Sequence, residues 1–224
     1  MGLFANAIGY LHDRGILHRR VTALASAIAP LLPKSARVLD VGCGDGLLAQ
    51  ALLDMRPDLR IEGVDVLVRA GTAILVREFD GWQLPFEDGE FDVAMAIDVF
   101  HHAADAPALM GEMKRVAKRS LVIKDHFLHG LPSRLILRAM DWVGNSRYGV
   151  QLPFNYWSEA EWSRAWDRCG IRPVSILRHL HLYPFPLSLI FETDLHFLAA
   201  LEPMRGDAGR RPASPAAVAA ERAG

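Results

Sequence analysis

The chain has little of what would mark a secreted, membrane-spanning or nucleic-acid-binding protein. Only two of its 224 residues are cysteine, Cys43 and Cys169, too few for a disulfide framework or a four-cysteine zinc site. Charge of one sign is also missing. Twenty-five Lys+Arg against 26 Asp+Glu leave a formal net charge of -1, so no general field gathers a polyanion and nucleic acid is not an expected partner. Apolar runs are short: Val93–Ile97 and Leu187–Phe191, the latter broken by Ser188, fall far below the ~20 residues that cross a bilayer. The N-terminus has no charged start followed by an apolar stretch and a small-residue cleavage site. These absences predict a reduced, cytoplasmic, single-domain protein. A hydrophobic share of 51% is enough to bury a sizeable core.

What is present is a rhythm. Ile8, Leu11, Leu17, Val21, Leu24 and Ile28 recur at helical spacing, predicting an amphipathic N-terminal helix within residues 1–33 that Pro30 and Pro33 stop. Arg14, Arg19 and Arg20 read as its solvated face. Strands are predicted at Arg37–Val41, Arg60–Asp65, Ile74–Glu78, Phe91–Ile97 and Ser120–Asp125, with helices at Leu47–Met55 and Pro107–Ala117. Such alternation builds right-handed βαβ crossovers and a doubly wound, mostly parallel α/β sheet. After Asp125 the rhythm breaks into an apolar helix, Pro132–Val143, and an aromatic, proline-bearing loop, Tyr148–Trp157. Residues 127–157 are the candidate substrate lid. Ser158 and Glu161 form a capping box that opens a helix closing at Gly170, and strands about Val174–Leu182 and His196–Leu201 follow. Leu182–Phe191 reads as a hairpin-like connection whose apolar patch could meet a membrane or a second subunit in a homodimer. Residues 34–202 make the main domain, and 203–224, without any period, read as a disordered tail.

The central motif is Val38-Leu-Asp-Val-Gly-Cys-Gly-Asp-Gly-Leu-Leu-Ala49, a buried strand running into three glycines and then a helix. Glycines permit a sharp turn and a close backbone approach to a ligand. A dinucleotide fingerprint needs its third glycine at position 47, where Leu47 stands. The spacing Gly42, Gly44, Gly46 with Asp40 on the strand suits a zwitterionic ligand whose ammonium needs a carboxylate. Asp65 ends the second strand, where an acid accepts hydrogen bonds from ribose hydroxyls. Phe79-Asp80-Gly81 and Asp98-Val-Phe-His-His102 also fall at carboxyl ends of strands, the ligand-binding edge of an open α/β sheet.

With these residues in order, the chain resembles the class I S-adenosylmethionine (SAM)-dependent methyltransferases, in particular the small-molecule branch called methyltransferase type 11. The likeness runs from Arg37 to Asp125. It implies a Rossmann-like sheet of seven strands, the last antiparallel, with SAM as co-substrate across its carboxyl edge. By matching position, Gly42, Gly44 and Gly46 would approach the methionine part, and Asp40 would meet its ammonium. Asp65 would take the ribose hydroxyls, Val66 would lie against adenine, and Asp80, beside Gly81 and Trp82, would accept from the adenine amino group. Asp98 would be the backbone contact for the methionine amino group. The stretch Val66–Thr72 departs from the family, where a fuller helix is usual.

Methyl transfer is an in-line displacement on an already activated methyl, so the protein must align the acceptor and supply a base where the acceptor carries a proton. His101-His102 and Asp125-His126 end adjacent strands. His126 with Asp125 is the first choice of base and His102 the second. The same four residues raise a metal alternative, but adjacent histidines on a strand point to opposite faces, so no metal is expected. The leading reading is methylation of a small apolar or aromatic acceptor with release of S-adenosylhomocysteine. The alternatives are methylation of a macromolecule and a non-catalytic SAM-binding or partner-binding module. Against a macromolecule stand the near-zero charge and the absence of an Asn/Asp-Pro-Pro-Tyr/Phe motif at Asp98.

Overall fold

The computed structural model describes residue 15, residues 17–145 and residues 154–204. Residues 17–28 form helix α1. The order continues β1 (Arg37–Val41), α2 (Leu47–Met55), β2 (Arg60–Asp65), β3 (Val76–Glu78), β4 (Phe91–Ile97), α3 (Ala106–Val116), β5 (Ala117–His126), α4 (Leu131–Asn145), α5 (Glu159–Arg168), β6 (Ile171–Leu177), α6 (Ser188–Phe191) and β7 (His196–Pro203). One seven-stranded sheet has the order β3-β2-β1-β4-β5-β7-β6. The first five strands are parallel, and β7 runs antiparallel between β5 and β6.

The central strands are apolar on both faces because helices cover both. On one face Leu39, Val41, Ala94 and Ile123 pack with Leu109, Met110 and Met113 of α3 and with Trp162 and Trp166 of α5. On the other, Val38, Val93, Met95 and Val122 meet Leu24, Ala25 and Ile28 of α1 and Ala49 and Leu52 of α2. Helix starts are fixed locally: Asp105 accepts from the Ala108 amide at 2.9 Å, and Ser158 and Glu161 form the full capping box.

Several boundaries differ from the expected ones for physical reasons. β3 begins at Val76 because Ile74 packs into the glycine turn, its Cγ1 only 2.7 Å from where a Cβ of Gly46 would stand. β5 is longer than Ser120–Asp125, running from Ala117 through His126. The expected strand Val174–Leu182 lies earlier, at Ile171–Leu177. It is an edge strand, so Pro173, which has no N–H to donate, is tolerated where the register shifts. The expected hairpin-like connection over Leu182–Phe191 contains instead the one-turn helix α6 at Ser188–Phe191. Residues 66–75 hold no helix, matching the shortened connection read from the sequence. Expectations on residues 1–14, 16, 146–153 and 205–224 lie outside the described residues, including much of the N-terminal helix, part of the lid and the tail. No helix among the described residues is long and apolar enough to cross a membrane.

Candidate cofactor and active site

Four carboxylates stand at the carboxyl ends of four neighbouring strands. Asp40 is the penultimate residue of β1, Asp65 the last of β2, Asp80 lies two past β3, and Asp98 one past β4. Asp40 is 3% exposed, and no described side chain bonds to it. Burial, reinforced by the nearby Asp65 charge, pushes its carboxyl up to about 8. A buried acid without a partner is costly in the ligand-free chain and suited to an incoming cation.

The glycine turn is shaped by packing as much as by freedom for a ligand. Gly42, Gly44 and Gly46 all have positive φ. A Cβ on Gly42 would stand 2.6 Å from Val99 Cγ2, so a larger residue there collides as well as strains. At Gly44 the nearest side chain is the Arg69 guanidinium at 3.5 Å. The Gly44 amide donates to Asp65 Oδ2 at 2.8 Å, and the Leu67 amide to Oδ1 at 3.0 Å. This orients the Asp65 carboxylate and leaves a further lone pair on each oxygen for a vicinal diol. Asp80 Oδ1 accepts from the Trp82 and Gln83 amides, both at 2.8 Å. Those bonds hold its carboxyl below the usual range, while Oδ2 is free among the described residues. Val66 (56% exposed) and Trp82 (47%) offer open apolar surface beside it. The set can hold a ligand with a cationic amine at one end, a diol in the middle and a flat amine-bearing ring at the other.

Asp98 is held in the left-handed region, φ 59. Its Oδ1 accepts from the Lys124 ammonium and its Oδ2 from Arg20 Nη2 at 2.9 Å, while Arg20 Nη1 donates to the Tyr183 hydroxyl at 2.6 Å. Arg20 therefore does not belong to a solvated face as expected: α1 packs on the sheet and turns this side chain onto the carboxyl edge. Burial alone would raise the Asp98 carboxyl, but Lys124, His126 and Arg20 outweigh it and hold it well below the usual range. Lys124 is fully buried, and its ammonium also lies 3.2 Å from His196 Nδ1. Neither Lys124 nor His196 was singled out from the sequence. The signal for Lys124 was visible as a lone charge inside the apolar run Leu121-Val-Ile-Lys124 of a strand covered on both faces.

Past Asp98, Phe100–His102 is a 3-10 turn rather than strand. His101 and His102 therefore lie side by side, ring centroids 4.0 Å apart, instead of on opposite faces. Asp125 pairs more tightly with His101 than with His126: His101 Nδ1 is 2.8 Å from its Oδ1, His126 Nδ1 3.2 Å. Burial alone would lower His101, but Asp125 and Asp141 overcome it and raise the imidazole to about 10. Burial alone would raise the Asp125 carboxyl, but the His101 and His126 imidazoles outweigh it and hold it well below the usual carboxylate range. Burial and the Lys124 charge push His126 down, and burial and His101 push His102 down. His126 Nε2 lies 3.7 Å from Asp98 Oδ1, and its carbonyl accepts from Trp162 Nε1 at 3.0 Å. Asp141 of α4 and Tyr156 complete the cluster and were not foreseen; the tyrosine hydroxyl donates to Asp141 Oδ2.

Comparison with known proteins identifies the family. The sequence matches the methyltransferase domain family over residues 10–176. It is 32% identical over 120 residues to the ubiquinone biosynthesis O-methyltransferase of Azorhizobium caulinodans, covering 47% of this chain and 45% of that protein. It is 28% identical over 145 residues to the 27-O-demethylrifamycin SV methyltransferase of Amycolatopsis mediterranei, covering 57% and 53%. The matches thus span about half the length of these curated relatives. Among solved structures, the Haloferax volcanii methyltransferase in complex with the Trm112 activator superposes with a TM-score of 0.66 at 17% identity, covering 89% of this chain and 95% of that one. That likeness is one of fold. The strand order, the four strand-end carboxylates and the family match together place the chain in the methyltransferase domain family, class I methyltransferases that use S-adenosylmethionine.

Proposed function

We propose that the protein transfers a methyl group from SAM to a small apolar or aromatic acceptor and releases S-adenosylhomocysteine. The observation that carries this reading is the row of Asp40, Asp65, Asp80 and Asp98 along adjacent strand ends around the glycine turn. When bound, SAM supplies a methyl group already activated by its sulfonium. Gly42, Gly44 and Gly46 shape the turn that receives the methionine part, with Asp40 toward the ammonium and the Asp98 backbone at the amino end. Asp65 takes the ribose hydroxyls through its remaining lone pairs. Asp80 Oδ2 accepts from the adenine amino group, between Val66 and Gly81-Trp82.

The base assigned is His126. With its Nδ1 toward Asp125, Nε2 is the basic nitrogen, and it stands beside Asp98, the residue set against the methionine end. Asp125 orients the ring. His102 is the second candidate, grouped with His101 and Asp141. The curated relatives are named as a ubiquinone biosynthesis O-methyltransferase and a 27-O-demethylrifamycin SV methyltransferase, and the aromatic residues Phe154, Tyr156 and Trp157 at the end of the candidate lid support an apolar or aromatic acceptor.

The test is S-adenosylhomocysteine release with a panel of phenols and apolar alcohols. Turnover is expected, and His126→Ala should lower it by ~10²–10⁴-fold, the usual span for a general base, with SAM affinity unchanged by calorimetry. Full activity of His126→Ala would remove it as the base. SAM binding without turnover on any small acceptor would favour the binding-module reading, and methyl incorporation into protein or RNA instead would favour a macromolecular acceptor.

A further inference from the structure

We propose that His101, His102 and Asp141 form a binding site for a divalent transition-metal ion with an open coordination position. One donor atom from each lies within 4.8 Å of the other two; His101 Nε2 is 3.3 Å from Asp141 Oδ1, a contact the ion would replace with release of the Nε2 proton to solvent. The remaining polar atoms of two of these groups are each fixed by another residue. His101 Nδ1 is bonded to Asp125 Oδ1 at 2.8 Å, and Asp141 Oδ2 accepts from Tyr156. A histidine that gives its second ring nitrogen to a carboxylate, with its first nitrogen turned to another donor, is the pattern that orients metal ligands in proteins. The third member carries an independent sign: His102 Nδ1 is buried and has no hydrogen-bond partner among the described residues.

The neighbouring set His101, Asp125 and His126 satisfies the same distance condition but is chemically closed. Asp125 already accepts from the Phe100 amide through Oδ2, and from the His126 amide and both imidazoles through Oδ1. Its Oδ1 is fully used by these contacts, and it acts by orienting His101. Two imidazoles and one carboxylate suit Zn²⁺, Fe²⁺, Co²⁺ or Ni²⁺ better than Mg²⁺ or Ca²⁺, which favour all-oxygen sets. Three protein ligands leave room for a water or an acceptor oxygen. Its donors are separate from the carboxylates assigned to SAM, and His102, the second candidate base, is the one residue shared with the proposed chemistry.

Co²⁺ titrated into tag-free, metal-stripped full chain is the direct test, read by its visible absorbance and by equilibrium dialysis. One ion per chain is expected. His102→Gln and Asp141→Asn should each weaken binding by more than tenfold, and Asp125→Asn by about 10–100-fold, as for loss of a carboxylate behind a metal-bound histidine. His126→Gln should leave binding within about twofold. Absence of stoichiometric binding would overturn the proposal, as would loss in His126→Gln with retention in His102→Gln. Should a variant fail to fold, X-ray absorption on the Zn²⁺-loaded wild type decides: two imidazoles with oxygen ligands support the site, and sulfur or a single imidazole contradicts it.

Discussion

At the scale of single residues, the strand-end acids do different work, set by what surrounds each one. Asp65 is oriented by two backbone amides and keeps capacity for a diol. Asp65→Ala should weaken SAM binding by ~1–3 kcal/mol, the cost of losing a hydrogen bond to a charged group; unchanged affinity by calorimetry would refute its role. Asp40 is the opposite case, an acid kept protonated by burial. Its folded-state value of about 8 lies above the ~4 of an unfolded chain, so between these values the folded state binds the extra proton. Its contribution to stability is therefore greatest at low pH and is lost as pH rises from about 4 to about 8. Asp40→Asn should flatten that slope and raise the ligand-free melting temperature at pH 7.5 by at least ~3 °C. The same change should weaken SAM binding, the usual conflict between a site's function and its stability. A melting temperature that stays the same or falls, across the whole pH range, would show that Asp40 is not strained.

At the scale of elements, what holds the site is the way helices finish the sheet's carboxyl edge. α5 starts at a capping box and brings Trp162 onto the His126 carbonyl, so its start anchors the end of β5. Ser158→Ala should cost ~1 kcal/mol and lower the melting temperature by about 2–4 °C, measured by calorimetry, with little change in SAM affinity. The capping box was legible because its residues bond only to one another and to local backbone. α1 was half legible. Its apolar spacing at Leu24 and Ile28 marked the buried face, but spacing does not tell a solvated arginine from one that reaches across the sheet to Asp98 and Tyr183. Likewise β6 lies at Ile171–Leu177 rather than about Val174–Leu182, and only its place at the sheet edge, a tertiary fact, accounts for a strand that contains Pro173.

At the scale of the whole molecule, the fold was legible and the polar interior was not. The alternation of strands and helices and the glycine turn after β1 follow from local pattern, and the seven-stranded sheet with β7 antiparallel is what the family resemblance implied. The cluster of half-buried Arg20 and Asp98 with buried Lys124, His126 and His196 joins residues from α1, β5, β7 and the end of β4, a coincidence of tertiary structure that no local spacing encodes. His101 and His102 show the same limit. Reading them as strand put them on opposite faces, whereas the turn Phe100–His102 sets them together. Such a cluster, costly to bury unless paired, sits where the assigned cofactor and acceptor would meet.

The most direct measurement is a crystal structure with S-adenosylhomocysteine. The account predicts the ribose hydroxyls on the Asp65 carboxylate, the adenine amine on Asp80 Oδ2 beside Trp82, and the amino-acid end over the glycine turn between Asp40 and Asp98. A nucleoside bound away from the carboxyl ends of β1 and β2, or no binding at saturating concentration, would contradict it.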